Sequence, residues 1–408
     1  MASFDIALSG LTAASSDLDV TANNIANADT VGFKQSRAEF ADVFAAGAVN
    51  LNTSQVGEGV RLSTTAQQFT QGNISTSGSN LDIAISGDGF FTVQDPSNGI
   101  VYTRNGQFSE DKNGNVVTAT GQALQVYPPT STGGFNTGSL SDLNLQTAQS
   151  TPQATTTGTV ILNLPAGTTP PTGGAFDPTN PATYNQSTST TVYDSLGNSF
   201  PATFFFTQTA APGVWNVNMT VNNVLDPTTN QLTFSSAGAV TAPVGGGLNF
   251  PGFAPTDGAA PMNMTFNFGK TTQFGGGFGV TSIIQNGFAT GQLSTVSIDP
   301  TGVVSAVYTN GRSTQLGQLA LANFPDPQGL KQLGDTSWAE TFASGTHISG
   351  TAGSAGFGSV QSGALEASNV DLTTQLVNMI TAQRAFQANA QVITTANQLS
   401  QTVINITH

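Results

Sequence analysis

Cysteine is absent from the 408 residues, which excludes disulfides, thiol chemistry and thiolate metal sites. Charge is scarce as well: 8% of the residues are Asp, Glu, Lys or Arg, against roughly 25% in ordinary soluble proteins. Ser, Thr, Asn and Gln must therefore supply the surface polarity. The core of a protein–protein contact is depleted in charge, so a chain this sparse in charge is expected to have much of its surface covered by copies of itself. Lys and Arg number 9 against 23 Asp and Glu, a net charge of −14. The basic residues are scattered singly, which leaves no patch to neutralise phosphates and argues against nucleic acid. Histidine occurs at His347, in a Gly-rich stretch, and at His408, the last residue. Ser/His/Asp and His-x-x-x-His arrangements are missing, so no catalytic, cofactor or metal site is expected. No run approaches the roughly 18 apolar residues of a membrane helix, so membrane insertion is not expected. Met1 to Gly10 lacks the basic and apolar regions of a secretory leader. Export, if it occurs, is expected by a route that keeps the N-terminus.

What is present is concentrated at the two ends. Residues 1–33 place Phe4, Leu8, Leu11, Ser15, Leu18, Ala22 and Ile25 at alternating spacings of four and three, a heptad seam on one helical face. Residues 368–406 repeat the rhythm at Leu372, Leu376, Met379, Phe386, Ala390, Ile393 and Ile404. Each stretch is too short and too thinly apolar to stand alone in water, so each needs a partner, either the other end or a neighbouring copy. The first helix is expected to be capped by Ser3 with Asp5 in its first turn, to fade through Asn23, Asn24 and Asn27, and to stop by Gly32. Ser368-Asn-Val-Asp371 reads as a capping box for the last helix, with Asp in place of Glu. From Leu372 onward Arg384 is the sole formal charge, so this helix is expected to pack on several sides or to line something polar and uncharged. Its many Thr residues lower helicity, and both ends are expected to fold on assembly.

Between the ends the pattern is β. Residues 36–72 read as an irregular, extended connector anchored by scattered residues such as Phe40, Val43, Phe44 and Phe69. From Ile74 short alternating runs follow, among them Leu81–Ile85, Phe90–Val93, Thr190–Tyr193, Ala202–Phe206, Val214–Val221 and Met262–Phe268. One turn recurs as Asp111-Lys-Asn-Gly114, Asp194-Ser-Leu-Gly197 and Asp299-Pro-Thr-Gly302. In each, Asp is expected to cap the turn and Gly to take the left-handed position. The first of these resembles the start of a calcium loop but lacks the later bidentate Glu, so a hairpin is expected. Gly269-Lys-Thr271 echoes a phosphate loop, but Met264 stands where its first Gly is required, so a strand end and turn is expected.

Asp19-Val-Thr-Ala-Asn-Asn-Ile-Ala-Asn-Ala-Asp-Thr-Val-Gly-Phe-Lys34 resembles the N-terminal signature of the bacterial flagellar rod and hook proteins. Ser362 to Asp371, with Met379-Ile-Thr-Ala-Gln-Arg-Ala-Phe386, is similar to their C-terminal signature. Asp88-Gly-Phe-Phe91 and Tyr102-Thr-Arg-Asn-Gly-Gln-Phe108 match a segment shared by hook and distal-rod members. Val192–Asn198, Leu316–Phe324 and the large β insertion resemble the hook branch. The resemblance implies an axial protein exported unfolded by the flagellar type III apparatus and polymerised beneath a cap into a short curved tube. That tube would join rod to filament as a universal joint. It also implies the distal rod protein, the hook cap protein and the hook–filament junction protein as partners.

The expected fold is mainly β, with sandwich or barrel-like modules in nested discontinuous domains and a helical coiled-coil domain made from both termini. The expected partition is 1–35 with 368–408 as the helical core, 36–72 as connector, 73–147 with 286–366 as an inner β domain, and 148–285 as an inserted outer one. The helical seams are the expected assembly surfaces. Asn23, Asn24, Asn27, Gly32 and Phe33 are expected to form a specific docking turn. Three alternatives are weaker. A straight distal-rod protein would lack the insertion, an adhesin would lack the terminal signatures, and a polysaccharide-active enzyme would need a paired-carboxylate cleft that no spacing singles out.

Overall fold

The computed structural model describes residues 2–43, 57–145 and 149–406. The chain is mainly β, with one long helix near each end: α1 (Ala2–Ala26) and α2 (Leu372–Ile406). It divides into two compact units. The first comprises Met1–Thr147, Thr295–Ala306 and Ser313–His408, and the second Ala148–Ser294 with Val307–Arg312.

In the first unit the segment after α1, expected as irregular connector, forms an antiparallel pair. Strand β1 (Ser36–Asp42) runs against β2 (Val60–Gln67), with a bulge between Glu39 and Phe40. Phe40 is exposed rather than an anchor, whereas Phe69 packs edge-on against Phe90 and Trp338 at 5.6 Å. Phe44 lies outside the described residues. The body of the unit is built on the strand Phe90–Asp95. It pairs with Gly99–Thr103, with Ala123–Tyr127 and with Leu321–Asn323. Phe90, Tyr102, Phe324 and Trp338 are buried on it in edge-to-face contact, the arrangement that ring quadrupoles favour.

The second unit stacks two sheets. One is an antiparallel meander of Gln186–Tyr193, Ser199–Gln208, Val214–Val221, Asn230–Phe234 and Val240–Ala242. The other is centred on Thr157–Pro165, which pairs in parallel with Met262–Asn267 and antiparallel with Gly279–Gln285. Inward residues alternate along Met262–Asn267, the period-2 pattern of a half-buried strand. They meet Phe204, Phe206, Trp215 and Val217 of the meander in one buried cluster. The Phe204 ring lies 4.9 Å from Phe266 and 5.7 Å from Phe268.

The recurrent Asp turn has one geometry at its three sites. Asp111 Oδ1 accepts from the amides of Asn113 (2.7 Å) and Asn115 (2.8 Å). Asp194 Oδ1 does the same with Leu196 and Asn198, and Asp299 Oδ1 with Thr301 and Val303. Gly114, Gly197 and Gly302 sit at φ of 80°, 87° and 79°, where a Cβ would be strained. At Asp111 the oxygens are thus committed to a hairpin between Phe108–Glu110 and Val116–Thr118. Lys270 follows a strand that ends at Asn267, and the Thr271 amide returns to the Phe268 carbonyl in a turn.

Candidate assembly surface and buried junction

Helices α1 and α2 pack on one another. At one point of contact Gly10 faces Asn389 so closely that a Cβ on Gly10 would lie 2.8 Å from Asn389 Oδ1. Fourteen residues further along α1 and fourteen back along α2, Asn24 Nδ2 donates to Gln375 Oε1 at 3.3 Å. The helices are therefore antiparallel and in step. The residues buried along α1 are Ala7, Ala14, Thr21 and Asn24, and along α2 Gln375 and Ala382. The buried positions of this seam are small or polar, and at Gly10 the space a side chain would take is filled by the Asn389 side chain.

The apolar seam read from the sequence lies beside this one. On α1 the buried series is displaced by one residue, about 100° of helix rotation. Phe4 and Leu8 are exposed, while Leu11, Leu18 and Ile25 are half-buried along its margin. On α2 Leu372 and Leu376 are exposed, and Met379, Phe386 and Ile393 are half-buried. Val377, Ile380, Val392 and Leu399 are also 47–63% exposed. Ser3 lies inside α1, and its side chain, like those of Val403 and Ile404, is outside the described residues.

The cap of α2 is Asp371 rather than Ser368. Asp371 Oδ1 accepts from the amides of Thr373 (2.9 Å) and Thr374 (3.3 Å), and Oδ2 accepts from the Thr374 hydroxyl. These bonds, led by the Thr374 amide, hold the Asp371 carboxyl below its ordinary value. Ser368 Oγ instead accepts from Val370. The helix starts late because Asn369 is occupied elsewhere: its Oδ1 accepts from the Gln35 amide at 2.7 Å and its Nδ2 donates to the carbonyl of Gln68.

The Asn-rich turn after α1 is held by side-chain amides. Asn24 clamps Ser36, donating to its carbonyl at 2.7 Å and accepting from its amide at 2.8 Å. Asn27 Nδ2 donates back to the Asn23 carbonyl, and its Oδ1 accepts from the Thr30 hydroxyl. Asn23 itself is exposed. Gly32, at φ 70°, donates to the Glu366 carbonyl at 2.8 Å, and a Cβ there would lie 2.5 Å from the Asn105 nitrogen. Phe33 is buried.

Beneath this turn lies a buried ionic junction. Lys34 Nζ is 2.6 Å from Glu366 Oε1 and 2.9 Å from the Thr70 carbonyl. Arg104 Nη1 is 3.2 Å from Glu366 Oε2, and Nη2 donates to the Gly87 carbonyl. The Gly72 amide also donates to Glu366 Oε1, and the guanidinium lies 5.4 Å from the Phe90 ring centre. The three side chains are 1%, 5% and 0% exposed in the order Lys34, Arg104, Glu366. Burial pushes both cations below their ordinary values, and the carboxylate opposes the shift. All three residues lie inside the terminal and shared signatures of the sequence, where nothing marks them as a site. The only signal in the sequence was that charge is rare in this chain, which does not pair the three residues.

His347 Nδ1 lies 2.6 Å from Glu340 Oε2 in a half-exposed pair; His408 is outside the described residues. Among the described residues no group of three or more His, Cys, Asp or Glu could hold a metal ion.

Four family models match separate parts of the chain. Flagella basal body rod protein matches residues 4–34, the flagellar hook protein FlgE/F/G D1 domain 84–162, the flagellar basal body protein FlaE D2 domain 163–288, and the C-terminal domain of flagellar basal body rod FlgEFG proteins 361–406. The flagellar hook protein FlgE of Escherichia coli is 38% identical over 99% of this chain and 99% of its own length. The chain belongs to the flagellar hook protein family. The hook protein FlgE of Salmonella typhimurium is also 38% identical, over 99% of this chain and all of its own. That of Rhizobium meliloti is 33% identical over 98% and 97%. The crystal structure of Helicobacter pylori flagellar hook protein FlgE2 shares the fold, with a TM-score of 0.53 at 14% identity over 72% of this chain and 100% of that one. The chain is thus a structural subunit of the bacterial flagellar hook, located at the hook and basal body. The junction joins three of the matched regions, since Lys34, Arg104 and Glu366 fall in the rod, D1 and C-terminal matches respectively.

Proposed function

We propose that this subunit polymerises through its terminal helices into a short, curved, hollow tube that couples rod to filament and transmits torque as a universal joint. The observation that carries this reading is the division of helix faces. Within one chain α1 and α2 meet at Gly10–Asn389 and Asn24–Gln375 and bury the small residues Ala7, Ala14 and Ala382, while Phe4, Leu8, Leu372, Leu376, Val377 and Ile380 stay exposed. Two helices that use their small residues on each other leave their large ones for neighbouring copies. Leu11, Leu18 and Ile25, with Met379, Phe386 and Ile393, flank the seam and would serve both contacts. Arg384 is the sole charge from Leu372 to the C-terminus, which suits a wall that unfolded chains slide past during type III export.

The helical pair, the β body and the inserted β sandwich act in this reading as separate parts, near 1–35 with 368–408, 73–147 with 286–366, and 148–285. The two chain crossings at each boundary serve as hinges. Head-to-tail contacts make the polymer open-ended. The distal rod protein, the hook cap and the hook–filament junction protein are the partners at its ends. The role is structural rather than catalytic. The test is electron microscopy of Leu376→Asp beside wild type in a kosmotropic salt. Tubes from wild type and none from the variant, with its β strands intact by circular dichroism, support the reading; normal tubes from Leu376→Asp overturn it.

A further inference from the structure

The ionic junction lies where both helices join the strands of the first unit. Lys34 follows the turn that ends α1, Glu366 ends the strand Ala364–Glu366 shortly before α2, and Arg104 follows the strand Gly99–Thr103. One carboxylate therefore fastens both helix exits to one strand end. A buried ion cluster gives little net stability, because desolvation offsets the attraction and apolar replacements are often neutral. What it does give is direction. Each oxygen of Glu366 has assigned partners, Oε1 with Lys34 and Gly72, and Oε2 with Arg104. Displacing either exit would leave a charge unpaired in the interior, whereas apolar packing is non-directional and tolerates a slip. The surrounding backbones leave no slack. A Cβ at Gly32 would meet Asn105, and one at Gly72 would meet the Ala367 carbonyl.

We infer that Glu366 is a positioning residue: it sets the angle at which the helix pair leaves the β strands of the first unit, and thereby the twist and curvature of the polymer. This rests on the assembly reading above. A helical polymer repeats the same angular error at every subunit, so a change too small to alter folding is read out in the tube.

Two variants test it. Lys34→Met with Arg104→Gln and Glu366→Gln removes all the charge and keeps an acceptor for the Gly72 amide. Arg104→Lys keeps every charge and removes the fork that reaches Glu366 and Gly87 together. Thermal melts and cryo-electron microscopy of tubes are measured for both beside wild type. The expected result is melting within about 5 °C of wild type, with tubes of altered twist or curvature, or none from a variant whose strands are folded. Arg104→Lys decides if the triple variant does not fold. Wild-type twist in tubes from a folded variant overturns the inference. Failure of both variants to fold makes the junction a stability element alone and also overturns it. Wild-type chain that forms no tube, even when seeded with hook fragments, overturns the assembly reading and this inference with it. Wild-type tubes beside unchanged variant tubes overturn this inference only.

Discussion

Lys34 and Glu366 stand 332 positions apart in the chain and 2.6 Å apart in space, both shielded from water. Their pairing closes the first unit, because residues near each end of the chain depend on one carboxylate. Removing that carboxylate leaves two buried cations facing each other. Glu366→Ala is expected to cost about 3–5 kcal/mol, read as a lowered denaturant midpoint of the first unit. A loss below about 1 kcal/mol would mean that the site admits water and that the ions are not truly buried.

Gly10 is a helix glycine with a side chain of the other helix packed over it. In an open helix Gly→Ala gains about 1 kcal/mol, but at Gly10 a side chain meets Asn389. Gly10→Val is expected to separate α1 from α2 and to cut tube formation at least tenfold, and Asn389→Ala is expected to restore part of it. Sedimentation of polymer measures both, and a lack of rescue would show that the two positions do not face each other.

Asp371 is expected to make the start of α2 acid-sensitive. Its carboxyl is held below the ordinary value of 3.8 by bonds from Thr374 and Thr373. A carboxylate with a depressed folded pKa contributes stability that is present above the unfolded pKa and is lost as pH falls through the folded one. Protection of the first-turn amides of α2, taken as their exchange relative to the free-peptide rate at the same pH, is therefore expected to fall as the pH drops below about 4. Asp371→Asn, which keeps a capping oxygen, is expected to abolish that pH dependence. An unchanged acid profile in the variant would assign the effect to another group.

Asp194 should matter to the second unit as more than a turn residue. Its side chain is fully buried and accepts from the amides of Leu196 and Asn198 and from Asn198 Nδ2. Asp194→Ala takes the side-chain acceptor from the Leu196 and Asn198 amides, while Asn198 Nδ2 keeps Asp257 Oδ2 at 2.7 Å, and is expected to cost about 1 kcal/mol or somewhat more, measured by calorimetric unfolding. Asp111→Ala, in a more exposed copy of the same turn, is expected to cost less, and the reverse order would contradict the burial argument.

The three Asp turns were legible in the sequence because everything they need lies within five residues. The carboxylate, the amides it binds and the left-handed glycine are neighbours in the chain. The Met262–Asn267 strand was legible for a similar reason, since its alternation is written in its own residues. The cap of α2 was misplaced by three residues because Asn369 is held by Gln35 and Gln68, far away in sequence.

The sequence by itself determined that the chain is β-rich with a helix toward each end, that it carries no thiol chemistry, and that its ends bear heptad patterns needing partners. Tertiary structure decided which helix face meets which. Heptad spacing is compatible with several seams on one cylinder, and the fold buries the one that carries Ala7, Ala14, Thr21 and Ala382. It also decided that Lys34, Arg104 and Glu366 form a single buried site. Charge attraction has no sequence period, so only the folding that brings three distant segments together can reveal it.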